Sequence, residues 1–244
     1  MNQPQHIELG RPARPGQLIL ARRFSLANQL IPDLAGLPLM LDLGCGNGAQ
    51  TIYFCSTVKK VVGADVIPLS RAESSVGENI FDFVKTDAGS LPFSDKSFDL
   101  VTAFEVLEHF PSDSLAVGEV VRVLKPAGRF LLSVPNKWWI FESHGATVPG
   151  LNWLPWNRLP FVGWLPDFLH RKIARARIYT MRSALQLVEQ QGLKVVAKGY
   201  ITAPLDVLPE GIIRRFFRKT LFRGDKTNVP FFAVNLFILC QKTD

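Results

Sequence analysis

The sequence predicts an α/β protein built on a doubly wound, mostly parallel sheet. Short apolar runs that suit buried strands alternate with stretches of helical spacing from residue 38 to residue 135, the pattern of right-handed βαβ units. A turn with three glycines follows the first run. A chain of 244 residues, 47% of them hydrophobic, is long enough to bury one substantial core. We therefore expect a single domain over residues 1–244.

Five strands and one clear helix are predicted in the first half of the chain. Each strand is a short apolar run bounded by turn-forming residues, and the five fall at residues 37–43, 61–65, 81–86, 98–104 and 129–134. Residues 112–124 have apolar side chains at helical spacing, with Ser112 or Asp113 as the N-cap. The sequence Lys-Pro-Ala-Gly at 125–128 ends this helix, because proline and glycine disfavour continuation.

The second half divides into an irregular segment and the remainder of the sheet. Residues 136–179 hold all five tryptophans and several prolines, so they predict a helical and aromatic lid inserted after strand five. A helix is expected at 180–191, ended by Gly192, and strands at 194–200 and 231–241. The expected parts are an N-terminal helical arm (1–36), a ligand-binding core (37–135), the lid (136–179) and a C-terminal half (180–244) with a basic helix at 207–223.

Composition argues against several classes of protein. The longest apolar run, residues 230–240, is far shorter than the roughly 20 residues that a membrane-spanning helix needs. The first residues lack the basic start and apolar stretch of a secretory signal. Three widely spaced cysteines, Cys45, Cys55 and Cys240, form neither a disulfide framework nor a zinc-binding pattern. We therefore expect a cytoplasmic protein without a bound metal.

The net charge of +7 is unevenly distributed along the chain. Residues 40–135 carry 8 Lys and Arg against 12 Asp and Glu, a balance of −4, whereas residues 136–182 and 211–226 each have a balance of +5. The two basic segments also contain many of the aromatic residues. The positive charge is therefore informative about a partner of these segments and not about the ligand of the acidic core.

The glycine-rich turn after the first strand is the predicted ligand site, because open sheets of this kind bind ligands where the strand order reverses. It reads Asp-Leu-Gly-Cys-Gly-Asn-Gly-Ala at 42–49. Glycine permits positive φ and lets a ligand approach the backbone. The spacing Gly44-x-Gly46-x-x-Ala49 also satisfies the dinucleotide-binding pattern. The loop alone therefore does not separate a nicotinamide cofactor from another adenosine ligand.

Three aspartates narrow that choice. Asp65 ends the second strand, 21 positions after Gly44, where a carboxylate accepts hydrogen bonds from ribose hydroxyls. Asp87 follows the third strand and is placed to accept from an adenine amine. Asp42, at the end of the first strand, is placed to position a ligand ammonium or the loop itself. These acidic groups favour a cationic, phosphate-free ligand, such as a sulfonium, over a pyrophosphate.

Taken together, these segments resemble class I S-adenosylmethionine-dependent methyltransferases. The matching motifs are Leu-Asp-Leu-Gly-Cys-Gly-Asn-Gly at 41–48, Val-Gly-Ala-Asp at 62–65, the segment 87–101, Glu-Val-Leu-Glu-His-Phe at 105–110, and Glu-Val-Val-Arg-Val-Leu-Lys-Pro-Ala-Gly-Arg-Phe at 119–130. They follow the family's order over residues 38–135, and beyond 135 the resemblance thins to the order of helices and strands. The resemblance implies a Rossmann-like, seven-stranded sheet with an antiparallel last strand, and S-adenosyl-L-methionine as the cofactor.

The resemblance also implies roles for individual residues. The loop from Gly44 to Gly48 contacts the methionine portion and the ribose, Asp65 the ribose, and Asp87 the adenine. Phe104 and Glu105 line the methionine end and the methyl-transfer channel. The full set of implied cofactor-binding residues is Asp42, Gly44, Cys45, Gly46, Gly48, Asp65, Val66, Asp87, Ala88, Phe104 and Glu105.

Two histidines are candidates for the general base that removes a proton from the acceptor. His109 lies in the 105–110 motif beside the cofactor, and His144 follows strand five at the same edge of the sheet. Imidazole titrates near neutral pH and suits this task. The alternative is that His109 only packs or hydrogen-bonds to shape the pocket. Glu108 is expected to be a solvated residue at the start of a helix.

The basic aromatic segments at 136–182 and 211–223 have three possible interpretations. Cations beside aromatic residues suit an anionic membrane surface, which predicts a small, hydrophobic or lipid-linked acceptor taken from that surface. The same chemistry suits RNA, with bases stacked on aromatic rings, as in a tRNA-methylating enzyme. The tryptophans also suit a buried lid over a hydrophobic substrate, the interpretation we favour for the tryptophans themselves. A binding module without catalysis is disfavoured, because the glycine loop, Asp65 and Asp87 are all intact.

Overall fold

The computed structural model describes residues 10, 13–67, 81–151, 153–154, 156, 159–206 and 208–243. Among these residues, strands β1 to β8 lie at Met40–Leu43, Val61–Asp65, Asp82–Lys85, Phe98–Phe104, Leu124–Pro135, Leu193–Thr202, Lys226–Thr227 and Ala233–Lys242. Helices α1 to α6 lie at Leu18–Leu30, Thr51–Cys55, Asp113–Val123, Asp167–Ile173, Met181–Glu189 and Ile212–Lys219. Short 3₁₀ turns lie at Leu107–His109, Val162–Trp164 and Pro230–Phe232.

The strands form one sheet in the order β3-β2-β1-β4-β5-β8-β6-β7. The first five strands along the chain are parallel, and β8 is antiparallel to both of its neighbours, β5 and β6. The predicted doubly wound sheet with an antiparallel last strand is therefore confirmed. The described sheet has eight strands, one more than predicted, because Lys226–Thr227 pairs with Tyr200 and Ile201 as a short edge strand.

Strand β1 lies inside the sheet, and helices cover both of its faces. All four of its residues are buried. Leu41 and Leu43 pack in the apolar cluster that includes α3 and α5, whereas Met40 packs in the cluster that includes α1 and α2. Burial on both faces makes such a strand a continuous apolar run. The strand order reverses between β1 and β4, so their carboxyl ends border a crevice.

Local signals place the ends of two helices as predicted. Ser112 is the N-cap of α3, and its hydroxyl accepts a hydrogen bond from the Leu115 backbone N–H at 3.3 Å. The chain turns after α5 at Gly192, which has a φ of +78°. The fifth strand begins earlier than predicted, because Leu124 already pairs with Phe98 before the register shifts. Its amino end is therefore part of the sheet although the Lys-Pro-Ala-Gly turn follows it.

The lid segment, residues 136–179, is irregular over most of its described length. It joins the carboxyl end of β5 through a bridge between Asn136 and Tyr179. A buried contact of 2.8 Å between the His170 Nε2 and the Glu142 Oε2 ties α4 to the beginning of the segment. The division of the chain into arm, core, lid and C-terminal half remains a prediction.

The predicted basic helix is present but shorter than expected. α6 covers Ile212–Lys219 within the predicted range 207–223, and residue 207 lies outside the described residues. The helix of the N-terminal arm is α1, and residues 1–9 and 11–12 of the arm also lie outside the description. Within the part of the chain that the structure describes, no helix combines the length and apolar character needed to cross a membrane.

Candidate active site

A cavity of about 690 Å³ lies at the carboxyl ends of β1, β2 and β4, where the strand order reverses. Its wall is formed by the loops that follow these strands, by α1 and by Trp139 of the lid. The predicted cofactor-binding residues that line it are Asp42, Gly44, Cys45, Gly46, Asp65, Val66, Asp87, Ala88, Phe104 and Glu105. Gly48 does not line the cavity, and its backbone N–H donates to the Cys45 carbonyl at 2.9 Å within the turn. The fold thus gathers all but one of the predicted residues.

The glycine loop has a backbone that side chains would disturb. Gly44, Gly46 and Gly48 all have positive φ. At Gly44, with φ at +72°, an added Cβ would lie 2.2 Å from Cγ2 of Val106. The requirement for glycine here is therefore both conformational and steric. The turn that follows β4 therefore lies in close contact with the glycine loop at this end of the cavity.

Asp42 lies beneath the loop and is almost completely buried. Its carboxylate accepts hydrogen bonds of 2.7 Å from the hydroxyls of Thr51 and Thr102. Burial raises the pKa of the Asp42 carboxyl to about 6, and the two hydroxyl donors oppose that rise. Asp42 therefore anchors the end of β1 while it faces the cavity.

Asp65 and Asp87 lie at the ends of neighbouring strands. Asp65 accepts one backbone hydrogen bond on each oxygen, from Gly46 at 2.8 Å and from Ile67 at 2.9 Å. The exposed Asp87 accepts from the Gly89 N–H at 2.8 Å. A carboxylate oxygen has two lone pairs, so both side chains retain acceptor capacity. Asp65 also links the glycine loop to β2.

Arg23 of α1 is a site residue that the sequence analysis missed. Its side chain is buried, its Nη2 lies 3.5 Å from the Glu105 Oε2, and its guanidinium lies over the Phe104 ring at 5.6 Å from the centroid. Burial lowers the pKa of Arg23, and the charge of Glu105 opposes that shift. The available signal was a pair of arginines, Arg22 and Arg23, in a helix that has no other charged residue.

Polar side chains without hydrogen-bond partners also line the cavity. Among the described residues, none bonds to either side-chain polar atom of Asn235, to Oε1 of Gln50 or to Oε1 of Glu105. Buried polar atoms are normally satisfied, so this concentration indicates a polar ligand. Asn235 was also missed, although a lone amide in the apolar run of β8 could have signalled it.

The expectation for Glu108 was wrong. Its side chain is completely buried in the 3₁₀ turn after β4. Burial, with the nearby charge of Glu105, raises the pKa of the Glu108 carboxyl well above its usual range. The lid covers this turn, because Arg177 lies across it and donates its backbone N–H to the Glu108 carbonyl.

The two candidate bases lie side by side. His109 lines the cavity, whereas His144 does not. Their rings meet edge to face, with centroids 4.9 Å apart. Nε2 of each ring faces Glu108 Oε1, at 3.9 Å for His109 and 3.5 Å for His144. The structure therefore joins both histidines and Glu108 in one cluster at the edge of the cavity.

The buried-lid interpretation fits only one tryptophan. Trp139 is 3% exposed, lines the cavity and packs on Phe141 and Phe222. Trp153 is 76% exposed, and Trp138 and Trp164 are each exposed by more than a third. For these three residues the expectation of burial was wrong, although Trp138 and Trp164 pack against each other edge to face.

The family comparison matches the same part of the chain that contains the motifs. A family model described as a methyltransferase domain matches residues 41–132. An uncharacterized methyltransferase, YcgJ of Bacillus subtilis, is 39% identical over 99 residues, which cover 38% of this chain and 39% of the relative. A ubiquinone biosynthesis O-methyltransferase of Bradyrhizobium sp. is 30% identical over 185 residues, which cover 70% of this chain and 67% of the relative. The aligned part of this chain thus spans 39% of the length of the first relative and 67% of the length of the second.

Comparison of structures extends the similarity to nearly the whole chain. A putative S-adenosylmethionine-dependent methyltransferase from Listeria monocytogenes superimposes with a TM-score of 0.60 at 18% identity, covering 92% of this chain and 99% of the other. At that identity the match supports the fold. The family follows from the sequence relatives, and membership of this family confirms the prediction of S-adenosylmethionine as the cofactor. The chain belongs to the class I S-adenosylmethionine-dependent methyltransferases.

Proposed function

We propose that this protein transfers the methyl group of S-adenosylmethionine to a small, hydrophobic or lipid-linked acceptor taken from an anionic membrane surface. The observation that carries the proposal is the cavity, whose wall combines the glycine loop and strand-end aspartates with apolar side chains. Its volume of about 690 Å³ falls within the range of about 300–1,000 Å³ for small-molecule sites. One cavity of this size accommodates a cofactor and a small acceptor.

The residues at the crevice fit the cofactor. Asp65 and Asp87 have the acceptor capacity that ribose hydroxyls and an adenine amine require. The unpartnered amide of Asn235 and carboxylate oxygen of Glu105 supply further polar contacts in the wall. Asp42, Asp65 and Glu105 make this wall acidic, which suits a ligand that carries a positive sulfonium.

The chain's own task is to align the acceptor and remove its proton. S-adenosylmethionine supplies a methyl group already activated by the sulfonium. Arg23 holds Glu105 at 3.5 Å, which fixes the turn after β4 beside the cavity. His109 is the imidazole in the cavity wall and therefore the candidate base nearest to an acceptor. Alignment is the larger contribution, because reactions of this kind gain most from orientation.

The remaining wall favours an apolar acceptor. Side chains from α1, the turn after β4, the lid and the segment before α6 contribute the apolar surface, namely Ile19, Leu20, Phe110, Trp139 and Leu205. The polar groups of the wall include those of the glycine loop, His109, Gln50 and Asn235. The name of the Bradyrhizobium relative, which refers to ubiquinone biosynthesis and O-methylation, supports an acceptor of this class.

Helix α6 is the candidate membrane contact. Its apolar side chains Ile212, Ile213 and Phe216 are 79%, 70% and 60% exposed. The exposed Arg215 and Lys219 on the same helix form no ion pair within the described residues. An apolar face flanked by cations is typical of helices that lie on anionic lipid. Each such cation contributes about 1 kcal/mol near a membrane surface.

The other two arginines of α6 connect it to the cavity. Arg214 and Arg218 both donate to the Asp206 Oδ1, at 2.5 and 2.6 Å. Asp206 and Leu205 line the cavity. A hydrophobic acceptor leaving the membrane at α6 would therefore meet the cavity wall within one short segment of chain.

Calorimetry with S-adenosylhomocysteine tests the cofactor half of the proposal. We expect binding at one site per chain, and at least a tenfold loss of affinity in Asp65→Ala. Asp82→Ala, the same change at the start of β3 away from the cavity, is the matched control and should bind normally. Absence of binding by the parent protein would contradict the proposed methyl transfer and would favour a module without catalysis.

Sedimentation with vesicles tests the membrane half. We expect the protein to sediment with phosphatidylglycerol vesicles and not with phosphatidylcholine vesicles, and Ile213→Glu to abolish sedimentation. Leu115→Glu is the matched control, because Leu115 is 66% exposed on α3 and lies outside the basic segments. Equal sedimentation of both variants would contradict the role of α6. Binding of tRNA in place of vesicles would instead support the RNA alternative.

A further inference from the structure

Glu108, His109 and His144 form a compact cluster of three potential metal ligands. Glu108 and His109 lie in the 3₁₀ turn after β4, and His144 follows β5. Because β4 and β5 are adjacent and parallel, their carboxyl ends bring these distant positions together. One donor atom from each residue lies within 4.8 Å of the others. A carboxylate with two imidazoles is a common ligand set for divalent transition metals.

The Glu108 carboxylate is the part of this cluster that needs a cation. It is completely buried, and neither of its oxygens accepts a hydrogen bond from the described residues. The Nδ1 of His144 is also buried without a hydrogen-bond partner among them. A buried carboxylate without donors is unfavourable unless a positive charge compensates it. Among the described residues, neither Arg23 nor Arg177 forms an ion pair with this carboxylate, and Arg23 pairs with Glu105 instead.

A second His–Glu pair in the same chain shows what a simple ion pair looks like here. His170 and Glu142 are both buried and lie 2.8 Å apart, a normal hydrogen bond. In the cluster, the corresponding separations from Glu108 Oε1 are 3.5 Å to His144 and 3.9 Å to His109. Two ligand atoms about 2.1 Å from one ion lie roughly 3.0–3.4 Å apart in octahedral or tetrahedral geometry. The separations in the cluster are longer than direct hydrogen bonds, and they exceed those of two ligands on one ion by up to about half an ångström. A bound ion would therefore draw the three side chains slightly together.

We propose that Glu108, His109 and His144 bind one divalent first-row metal ion at the edge of the cavity. Three protein ligands leave coordination positions open for an oxygen of the acceptor or for water. His109 lines the cavity, so an open position lies toward the ligand. The proposal revises our expectation that the chain binds no metal. Sequence analysis missed the site because the ligands are not in a local spacing pattern.

The role of the ion rests on the proposed methyl transfer. An ion held by these residues would lower the pKa of an acceptor hydroxyl bound to it, and the proton would pass to water. The acceptor oxygen would then form the new bond to the methyl carbon, while the carbon–sulfur bond breaks and its electron pair stays on sulfur. Under this assignment the two histidines would be neutral ligands, so His109 would act through the ion and not as the general base named above.

Titration of chelator-treated protein with Zn²⁺ or Mn²⁺, followed by calorimetry, tests the site without any activity measurement. We expect one ion per chain, and at least a hundredfold loss of affinity in Glu108→Gln and in His144→Ala. Glu189→Gln, the same change at an exposed carboxylate of α5, is the matched control and should bind as the parent does. Absence of stoichiometric binding by the parent, or its persistence in both cluster variants, would overturn the proposal.

Thermal unfolding separates a metal ligand from a merely structural residue. Without metal, Glu108→Gln should melt close to the parent, because a neutral amide replaces a buried carboxyl of nearly the same shape. With metal, the parent should gain several degrees and Glu108→Gln should gain none. A gain with metal in Glu108→Gln as large as that of the parent would overturn the proposal. S-adenosylhomocysteine binding, measured in the same samples, shows separately whether the proposed methyltransferase function stands.

Discussion

The cofactor side and the acceptor side of this molecule are built on different principles. Residues 37–135 supply five parallel strands and an acidic crevice in which backbone geometry demands particular residues, such as Gly44. Residues 136–182 and 211–226 supply a basic and aromatic surface, from the buried Trp139 to the 76% exposed Trp153. The cofactor side requires particular residues for their backbone conformation, whereas the acceptor side requires side chains of a general chemical type. Motifs therefore describe the cofactor side much better than the acceptor side.

The largest effect is expected within the acceptor side itself. Trp139→Ala should lower the free energy of unfolding by about 3–5 kcal/mol, because a large buried ring is lost against Phe141 and Phe222. Trp153→Ala should lower it by less than about 0.5 kcal/mol, since that ring is mostly in solvent. Urea denaturation measures both. Similar losses would mean that the lid buries its tryptophans equally, contrary to the structure.

A change in the glycine loop tests the dependence of the cofactor side on its backbone. Gly44→Ala should cost about 2–4 kcal/mol, because positive φ and the approach of Val106 both oppose a Cβ. Gly36→Ala is the control, with φ at +94° but no atom within 4 Å of the added Cβ, and should cost about 1 kcal/mol. Urea denaturation and S-adenosylhomocysteine titration measure the two effects. Normal binding by Gly44→Ala would contradict the close fit of the loop.

The pH dependence of stability tests Asp42. Its pKa is raised from the usual value of about 3.9 to about 6, mainly by burial. Between these values the folded state binds more protons, so this residue's contribution to stability falls as pH rises from about 4 to about 6. Asp42→Asn should therefore be more stable than the parent at pH 7, by up to about 3 kcal/mol. That advantage should disappear near pH 4.

Denaturation of both proteins across pH 4–7 measures the difference and cancels the other titrating groups, Glu108 among them. Glu189→Gln, at an exposed carboxylate, should show no such pH-dependent advantage. A variant that is less stable than the parent at pH 7 would mean that the Thr51 and Thr102 hydroxyls outweigh the cost of burial.

The smallest effect is expected at Asn235, where cofactor and acceptor sides meet. Asn235→Leu removes two unpartnered polar atoms, so the ligand-free protein should become more stable by about 1 kcal/mol or remain unchanged. The stabilisation produced by S-adenosylhomocysteine, measured by thermal unfolding, should decrease at the same time. Undiminished stabilisation would show that this amide serves the acceptor or only the fold.

The cavity residues fall into two groups by how readily the sequence reveals them. Gly44, Asp65 and Asp87 follow predicted strands at fixed offsets, so the strand pattern alone places them at one edge of the sheet. Arg23 and Asn235 come from α1 and β8, far from the motifs in the chain. The arginine pair and the lone amide mark unusual residues, but no local sequence signal indicates that α1 and β8 reach the cavity. Their positions follow from how the arm and the last strand pack.

The burial of charged groups was equally inaccessible to local reasoning. Glu108 occurs in the motif at 105–110, which resembles an exposed helix start, yet its side chain is buried. The opposite holds for Trp153, an apolar residue of the lid that is exposed. Burial depends on what other segments cover, such as Arg177 of the lid over the turn of Glu108. Such coverage is a property of the folded chain.

By itself, the sequence determined the parallel core, the family and the location of the ligand crevice. These features follow from apolar periodicity and from backbone conformations that few residues other than glycine adopt. Only the tertiary structure decided the extra edge strand, the exposed apolar face of α6, and the meeting of Glu108, His109 and His144. Each of these depends on contacts between segments distant in the chain, which local patterns do not encode.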